Sequence, residues 1–331
     1  MKEYLIDMLC CPDCHEVLEW IVEDRLDDHI ETGTAMCNTC TAAYPIRDGI
    51  GLFLTSELER EDLWEQVDSS LTLHLRENPV LEAQLMDAPL ETLGPADQLF
   101  RGMILEERGD FAGAELAMEV SHQGLYTSDY VRCWEMQVDT LIEKVREVPG
   151  PIVDLASGRG YLVEKLVEQT AAPIVASDFS PQVLRRNRRW LTFKGTYDRV
   201  SLLAFDARKT PFKDGSIETM TTNLGLPNIR GMGKLFGELH RIISGRFLAI
   251  SHFFPEDDGN KEVIEQFELG NAVYKPRLME KLVAAGFQFQ AGASCIGLAS
   301  PTPEGEILEG MRIDGLPVVD TELEWSVVEG E

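Results

Sequence analysis

Residues 151–162, PIVDLASGRGYL, decide the fold of the chain around them. The first of these residues form a short apolar run, as in a buried strand, and apolar residues return at helical spacing from Leu162 onward. Between them, Ala156, Gly158 and Gly160 place small residues at alternate positions. This pattern predicts a strand, a tight turn and a helix, in which the turn backbone can approach a ligand closely. The spacing does not fit the G-x-G-x-x-G fingerprint of nicotinamide and flavin sites.

Apolar runs and helical patterns alternate through the rest of the C-terminal half. Strands are predicted near residues 151–156, 173–178, 199–205, 216–222 and 246–252, with a sixth at Phe287–Leu298 and a seventh at Leu323–Val328. Residues 307–319 should form a hairpin insertion. The alternation predicts an α/β fold, a mostly parallel Rossmann-like sheet of seven strands covered on both faces. Its ligand site should lie at the carboxyl ends of the strands.

Acidic residues stand directly before the glycine turn and at the end of the next strand. The D-x-A-x-G-x-G pattern from Asp154 resembles the first motif of class I S-adenosylmethionine (SAM) methyltransferases. Asp178 in IVASDFSP, the D-A-R…P-F-x-D-x-S-I run from Asp206 and N-L-G-L-P-N-I from Asn223 follow in the order of that family. The last run is similar to the branch with ubiquinone and menaquinone C-methyltransferases. The resemblance implies an enzyme that transfers a methyl group from SAM.

The same resemblance implies which residues bind the cofactor. They are Asp154, Ala156, Gly158, Gly160, Asp178, Phe179, Asp206, Ala207, Asn223 and Leu224. The glycines would lie against the methionine part of SAM, which Asp154 would orient. Asp178 would accept hydrogen bonds from the ribose hydroxyls, and Phe179 would pack on the adenine. Asp206 and Ala207 would contact the adenine edge, and the last two residues would face the methyl group.

The resemblance does not identify a catalytic base. His252, at the end of the fifth predicted strand, is the best-placed ionisable residue, although a structural role is the commoner one for such a histidine. Asn223 and Tyr126 are the other candidates. Tyr126 and Tyr130 precede a helix and are candidates for a lid over the site, or for simple packing of the helix junction. The N-P-P-Y motif of amino-group methyltransferases is missing after the fourth strand, which disfavours an adenine or glutamine acceptor.

Four of the seven cysteines form two C-x2-C pairs. They are Cys11, Cys14, Cys37 and Cys40. Two such pairs direct four thiolates at one metal and leave no open position, so the spacing predicts a structural zinc ion. Disulfides are the alternative, disfavoured in a cytoplasmic chain in which Cys133 and Cys295 are free thiols.

The segment around these cysteines has its own family resemblance. LIDMLCCPDCHEVLEW and CNTCTAAYPIRDGIGLFL resemble the small zinc-ribbon protein that activates tRNA, rRNA and release-factor methyltransferases, in which the ribbon is a separate subunit. Gly51 departs from the pattern, which usually has a second proline there. The resemblance implies a fused ribbon that stabilises the enzyme and helps to present its substrate.

The net charge of −27 is confined to the flanks of the chain. Residues 126–300 hold 21 acidic and 22 basic residues, whereas residues 301–331 hold 9 and 1, and residues 1–125 hold 27 and 7. Acidic flanks repel phosphate backbones and disfavour a long nucleic acid. The one dense basic run comprises Arg185, Arg186, Arg188 and Arg189. It could bind an anion, but pairing with the acidic flanks is the simpler interpretation.

These patterns divide the chain into three predicted regions: a zinc ribbon (1–55), an acidic helical linker or cap (56–148) and a methyltransferase domain (149–331). Helices are expected at Leu58–Leu75 and Leu99–Val120, as a lid over the acceptor. A small or medium-sized organic acceptor in a closed, mostly apolar pocket is favoured, and an RNA or translation-factor substrate presented by the ribbon is the alternative. A non-catalytic SAM-binding scaffold is a third possibility. No apolar run of membrane-spanning length is present, a cytoplasmic location is expected, and the oligomeric state is left open.

Overall fold

A computed structural model describes residues 1–58, 65 and 68–331. The strands are β1 (Leu18–Leu26), β2 (His29–Cys37), β3 (Ala43–Arg47), β4 (Ile50–Phe53), β5 (Ile152–Asp154), β6 (Ile174–Asp178), β7 (Val200–Phe205), β8 (Ile217–Asn223), β9 (Ile243–Phe253), β10 (Phe289–Ala291), β11 (Cys295–Ala299) and β12 (Thr321–Gly330). The helices are α1 (Ser70–Glu77), α2 (Pro79–Asp87), α3 (Pro95–Arg108), α4 (Phe111–Leu125), α5 (Ser128–Val145), α6 (Tyr161–Gln169), α7 (Pro181–Phe193), α8 (Met232–Ile242), α9 (Lys261–Gln266), α10 (Gly270–Val273) and α11 (Lys275–Ala284).

The predicted α/β core is present, with strand order β7-β6-β5-β8-β9-β12. The first five strands are parallel, and β12 is antiparallel to β9. The predicted sixth strand is broken into β10 and β11, which both pair with β12. The turns after β5, β6, β7 and β8 meet at the carboxyl edge of the sheet, where the ligand site was predicted.

The ribbon extends this sheet rather than forming a separate body. Strand β4 pairs in parallel with β7, Ile50–Phe53 against Leu202–Phe205, so that all strands form one 12-stranded sheet instead of seven strands plus a ribbon. One hydrophobic core runs through both parts. At Gly51, an added Cβ would lie 2.8 Å from a Leu203 side-chain carbon. This close approach to β7 explains the glycine that departs from the ribbon pattern.

The helical segment, α1–α4, has a small core of its own. Leu71, Leu75, Leu85, Phe100 and Ile104 pack there with Leu308 from the connection between β11 and β12. The predicted helix at Leu58–Leu75 falls partly outside the described residues, and its described end is α1. The second predicted stretch, Leu99–Val120, corresponds to α3 and α4, which meet at the left-handed Gly109 (φ 87°).

Two expectations are wrong. The predicted hairpin at 307–319 contains no strand among its residues, because its apolar side chains pack on the helical segment instead of pairing with each other. Cys133 and Cys295 are not free thiols. They form a disulfide across 162 residues, because α5 packs on β11 and brings their Cα atoms within 5.4 Å. The chain therefore does contain a disulfide, so free thiols elsewhere no longer argue against disulfides in the ribbon. The preference for zinc there rests on the geometry of the four ribbon cysteines alone.

Within the described ranges, no helix has the length and apolar character needed to cross a membrane.

Candidate functional site

The turn after β5 has an unusual backbone. Ala156, Gly158 and Gly160 all have left-handed φ values, of 53°, 52° and 83°. Glycine adopts this conformation freely, but alanine there is strained by about 1–2 kcal/mol. Such strain is typical of ligand sites, where surrounding structure enforces it. We call residues 155–160 the glycine turn.

Two carboxylates, one half-buried and one fully buried, hold the glycine turn in place. Asp178 accepts hydrogen bonds from the backbone N–H groups of Gly158 (3.1 Å) and Ser180 (2.9 Å), and burial raises its pKa. Asp154 lies beneath the turn and accepts from the Thr221 hydroxyl at 2.8 Å. Burial raises the pKa of Asp154 to about 7, although hydrogen bonds from Ser157 and Thr221 oppose the shift. Asp154 is therefore a support under the turn, with only 1% of its surface exposed.

A pocket of about 260 Å³ opens against the glycine turn. Its lining includes five of the predicted cofactor residues, namely Ala156, Asp178, Phe179, Asp206 and Ala207. The predictions missed Arg208, whose guanidinium binds both carboxylate oxygens of Asp206. A ligand edge that reaches Asp206 must therefore share that carboxylate with Arg208. We call this cavity the turn pocket.

A larger cleft of about 1010 Å³ adjoins the turn pocket. The two cavities share one wall, formed by Asn228, Ile229 and Arg230 at the end of the N-L-G-L-P-N-I run. Leu224, a predicted methyl-facing residue, lines the cleft with a left-handed φ of 55°. Four aromatic side chains also line it, so we call it the aromatic cleft.

The aromatic cleft differs from the closed, mostly apolar pocket expected for the acceptor. Tyr130, His252, Phe254 and Phe267 line it together with charged side chains. The charged residues are Arg230, Glu265, Glu268, Arg277 and Asp314. Arg277 is paired with Glu265 at 3.0 Å. The cleft can thus recognise both an apolar body and polar groups.

The expected lid is also formed differently. None of the cleft-lining residues in the described chain belongs to α1–α4; residues 263–273 and 314–316 cover the cleft instead. The helical segment packs on the glycine turn and on the 301–320 connection. Tyr130 lines the cleft. The Tyr126 ring stacks on the Tyr130 ring, with the two ring centroids 4.6 Å apart.

The three candidate catalytic residues are in different positions. His252 lines the cleft beside Tyr130 and Trp325, its Nδ1 is buried without a hydrogen-bond partner in the described chain, and burial lowers its pKa to about 4. It is therefore neutral at neutral pH. The Asn223 side-chain oxygen is occupied by the Trp134 indole N–H at 3.1 Å.

Tyr126 donates its hydroxyl to Asp314 at 2.8 Å, and burial raises its pKa. A phenol with a raised pKa keeps its proton at neutral pH and therefore cannot act as the base. Its partner Asp314 lines the cleft, has its own pKa raised by burial, and has no cationic partner among the described residues. Sequence reasoning missed Asp314, because it stands in an irregular connection without any motif.

The four ribbon cysteines lie together at the junction of the ribbon and the sheet domain. All four sulfur atoms lie within 4.8 Å of one another, with Cys11–Cys40 at 3.5 Å and Cys14–Cys37 at 3.4 Å. Four thiolates around zinc at about 2.3 Å would be separated by about 3.8 Å, so the set fits one tetrahedral ion with no open position. Asp13 between the first two cysteines binds Lys209, which ties the metal cluster to the sheet domain.

The basic run of α7 is paired inside the molecule, as predicted. Arg188 binds Glu31 of the ribbon at 2.5 Å, and Arg186 lies 3.5 Å from Glu106 of α3. Arg189 donates to the Glu107 carbonyl at 2.9 Å. No arginine of this run, Arg185 included, is among the described residues that line the aromatic cleft.

Comparisons with known proteins agree with both parts of the chain. Residues 152–244 match the family model described as a methyltransferase domain, and residues 2–49 match the Trm112p-like protein family. A demethylmenaquinone methyltransferase of Thermus thermophilus is 36% identical over 37% of this chain and 54% of its own length. The ubiquinone/menaquinone biosynthesis C-methyltransferase UbiE of Pectobacterium carotovorum is 25% identical over 49% and 64%. The chain thus spans less than two thirds of either relative. One polypeptide thus carries a segment that matches the Trm112p-like family and a segment that matches the methyltransferase-domain model.

Proposed function

We propose that the protein is a SAM-dependent methyltransferase that acts on a small or medium-sized organic acceptor. The observation that carries the proposal is the shared wall of Asn228, Ile229 and Arg230 between the turn pocket and the aromatic cleft. A cofactor in the first cavity and an acceptor in the second would meet at this wall. Methyl transfer needs that adjacency, because much of its rate comes from holding the two reactants together.

In this proposal, the turn pocket holds SAM. Asp178 binds the ribose hydroxyls, and Phe179 and Ala207 contact the adenine. Ala156, Gly158 and Gly160 bring the backbone close to the methionine part. Asp154 acts through the turn, while Asp206 reaches the adenine edge only in competition with Arg208.

The residues of the cleft would bind the acceptor and receive its proton. When bound, SAM supplies an electrophilic methyl group, so a neutral X–H acceptor loses one proton for each methyl group it gains. Asp314 and His252 line the cleft, and neither has an ion-pair partner in the described chain. We assign proton uptake to Asp314, since its raised pKa makes it a stronger base than an ordinary carboxylate. The pKa of His252 is lowered to about 4, which makes this imidazole a weaker base than an ordinary histidine.

The test of cofactor binding is calorimetry with SAM and with its demethylated product, S-adenosylhomocysteine. Both should bind, and Asp178→Ala should weaken both by at least tenfold, because each charge-assisted hydrogen bond contributes about 1.5–3 kcal/mol. Asp198→Ala, an exposed acid before β7, is the matched control and should bind normally. Unchanged affinity in Asp178→Ala, or preferred binding of NAD, would remove the basis for the proposal.

The acceptor is sought with methyl-deuterated SAM in extracts of metabolites, of RNA and of proteins. Transfer of the label to a small molecule is the expected outcome. Labelled RNA or translation factor would support the alternative that the Trm112p-like segment suggests. A chain that binds SAM but labels none of the three extracts would support a non-catalytic scaffold.

A further inference from the structure

A carboxylate from the helical segment reaches the glycine turn from outside the sheet domain. Glu106 lies on α3 and is only 3% exposed. One of its oxygens accepts a hydrogen bond from Arg159, and the other lies 3.5 Å from the Arg186 guanidinium. The predicted methyltransferase motifs did not include any residue of this segment.

Both arginines belong to the structure of the glycine turn. Arg159 stands between Gly158 and Gly160 in the turn itself. Arg186 donates to the Gly158 carbonyl at 3.1 Å, beside a second donor, Asn187, at 3.0 Å. The N–H of the same glycine donates to Asp178. The Gly158 carbonyl is therefore held by Arg186, which pairs with Glu106. The Gly158 N–H is held by Asp178, which lines the turn pocket.

The ion pairs of Glu106 with the two arginines are shielded enough from solvent that their loss should cost free energy. The exposed side-chain fractions are 4% for Glu106, 22% for Arg186 and 35% for Arg159. Burial lowers the pKa of Arg186 to about 10, so this cation depends on a nearby anion. Removing one partner from a buried ion pair leaves an uncompensated charge, and the remaining groups move to find other partners. Here the groups that would move are those that bind Gly158.

We propose that Glu106 is a positioning residue for the cofactor site, through which the helical segment sets the affinity of the glycine turn for SAM. The inference rests on the proposed function, since it assumes that the turn pocket binds SAM. Its consequence is that a segment outside the methyltransferase fold controls cofactor binding. Without the Glu106 carboxylate, the two arginines would lose their anion and the glycine turn would lose a restraint.

The test compares two neighbouring carboxylates on the same helix. Glu106→Gln removes the charge at the turn and keeps the shape of the side chain. Glu107→Gln is the matched control, because Glu107 accepts from Ser69 and Thr72 at the start of α1 and acts on Arg186 only electrostatically and less than Glu106 does. Both variants lose partly buried hydrogen bonds and should lower the melting temperature.

Only Glu106→Gln should weaken S-adenosylhomocysteine binding, by about tenfold and with unchanged stoichiometry in calorimetry, because it acts on the site through neighbouring groups. Glu106→Asp, which keeps the charge, should recover part of the affinity. In the double variant Glu106→Gln/Arg159→Gln, the loss should be smaller than the sum of the single losses, because both act through one contact.

Equal affinity in Glu106→Gln and the wild type would overturn the inference, as would equal losses in Glu106→Gln and Glu107→Gln. If Glu106→Gln does not fold, Arg159→Gln takes its place with the same expected loss. A wild-type protein that binds no S-adenosylhomocysteine would contradict the proposed function itself, which is a different result.

Discussion

The ribbon and the helical segment flank the same sheet domain, but they are joined to it in different ways. The ribbon is joined mainly by backbone: β4 adds to β7 with four parallel residue pairs, in addition to the ion pairs Asp13–Lys209 and Glu31–Arg188. The helical segment is joined by side chains: Glu106 at the glycine turn, Asp97 at the 301–320 connection and, directly after α4, Tyr126 at Asp314.

The difference predicts how each attachment responds to substitution. A backbone ladder depends little on which side chains its residues carry, provided that they fit. Single side-chain anchors depend on one functional group each, and here they reach the two cavities of the candidate site. Damage to the ribbon should therefore lower stability with little effect on ligand binding, whereas point changes in the helical segment should affect both.

The largest expected effect tests the ribbon side of this comparison. Cys37→Ser should abolish tight zinc binding and unfold the ribbon, because structural zinc contributes about 10 kcal/mol or more to the folding of zinc-finger peptides. Metal analysis and thermal unfolding measure the result. Cys10→Ser, at a buried cysteine outside the metal cluster, should keep one zinc per chain.

The S-adenosylhomocysteine affinity of the folded Cys37→Ser protein should change less than that of Glu106→Gln. If the affinity of Cys37→Ser fell further than that of Glu106→Gln, the proposed contrast between the two attachments would be wrong. Purified wild-type protein without zinc, or with a Cys11–Cys14 disulfide, would contradict the metal site.

A smaller effect is expected at the buried anchor of α3. Asp97 is fully buried and accepts from the backbone N–H groups of Glu306 (2.7 Å), Ile307 (2.9 Å) and Leu308 (3.3 Å). Asp97→Asn keeps only one accepting oxygen and should lose about 3 kcal/mol of unfolding free energy in urea titrations. Asp110→Asn is the control, since asparagine caps α4 as well as aspartate does. Equal stability of the two variants would refute the role of Asp97.

The contact between Tyr126 and Asp314 gives a pH-dependent effect. Burial raises the pKa of Asp314, so its ionised form opposes folding and the stability it contributes falls as pH rises through that raised pKa. The Tyr126 hydroxyl favours the ionised form. Tyr126→Phe should therefore cost about 1.5–3 kcal/mol at high pH and less at low pH, where the carboxyl is protonated.

Unfolding free energies of Tyr126→Phe at several pH values measure this difference. Tyr130→Phe keeps the aromatic stack and should show no such pH dependence. A loss in Tyr126→Phe that does not vary with pH would mean that Asp314 is not the partner that matters.

The smallest effect is expected for a side-chain pair between the ribbon and α7. Glu31→Gln removes the partner of Arg188, and the two side chains are 13% and 26% exposed. A partly buried pair of this kind should contribute about 1 kcal/mol, screened by salt. Chemical denaturation at low and high salt measures it. A loss larger than that of Asp97→Asn would show that the ribbon also depends on side chains.

The features that could be predicted from the sequence are those that depend only on residues close together in the chain. The cysteine pairs and the small residues of the glycine turn constrain their own neighbours, and each predicted region of the sheet has its strand. Long-range contacts were not predictable. Neither the pairing of β4 with β7 nor the disulfide between Cys133 and Cys295 has a local signal, because each joins segments far apart in the chain.

The same limit applies within the candidate site. Five of the residues predicted to bind a cofactor stand at or just after strand ends and line one pocket, since a strand end fixes where its turn lies. Glu106 and Asp314 lie in a helix and a connection whose positions depend on tertiary packing. Their carboxylates look like ordinary surface acids in the sequence, and only their burial distinguishes them.

The pairing of β4 with β7 also changes the kind of equilibrium that holds the ribbon in place. In the small zinc-ribbon proteins that residues 1–55 resemble, association with the enzyme depends on the concentrations of two chains. Here the ribbon is tethered, so its effective concentration at β7 is on the order of millimolar or higher and does not fall on dilution. A free ribbon protein could occupy β7 only after β4 had left it. The fusion thus fixes the stoichiometry at one ribbon per sheet domain and excludes competing ribbons from that edge.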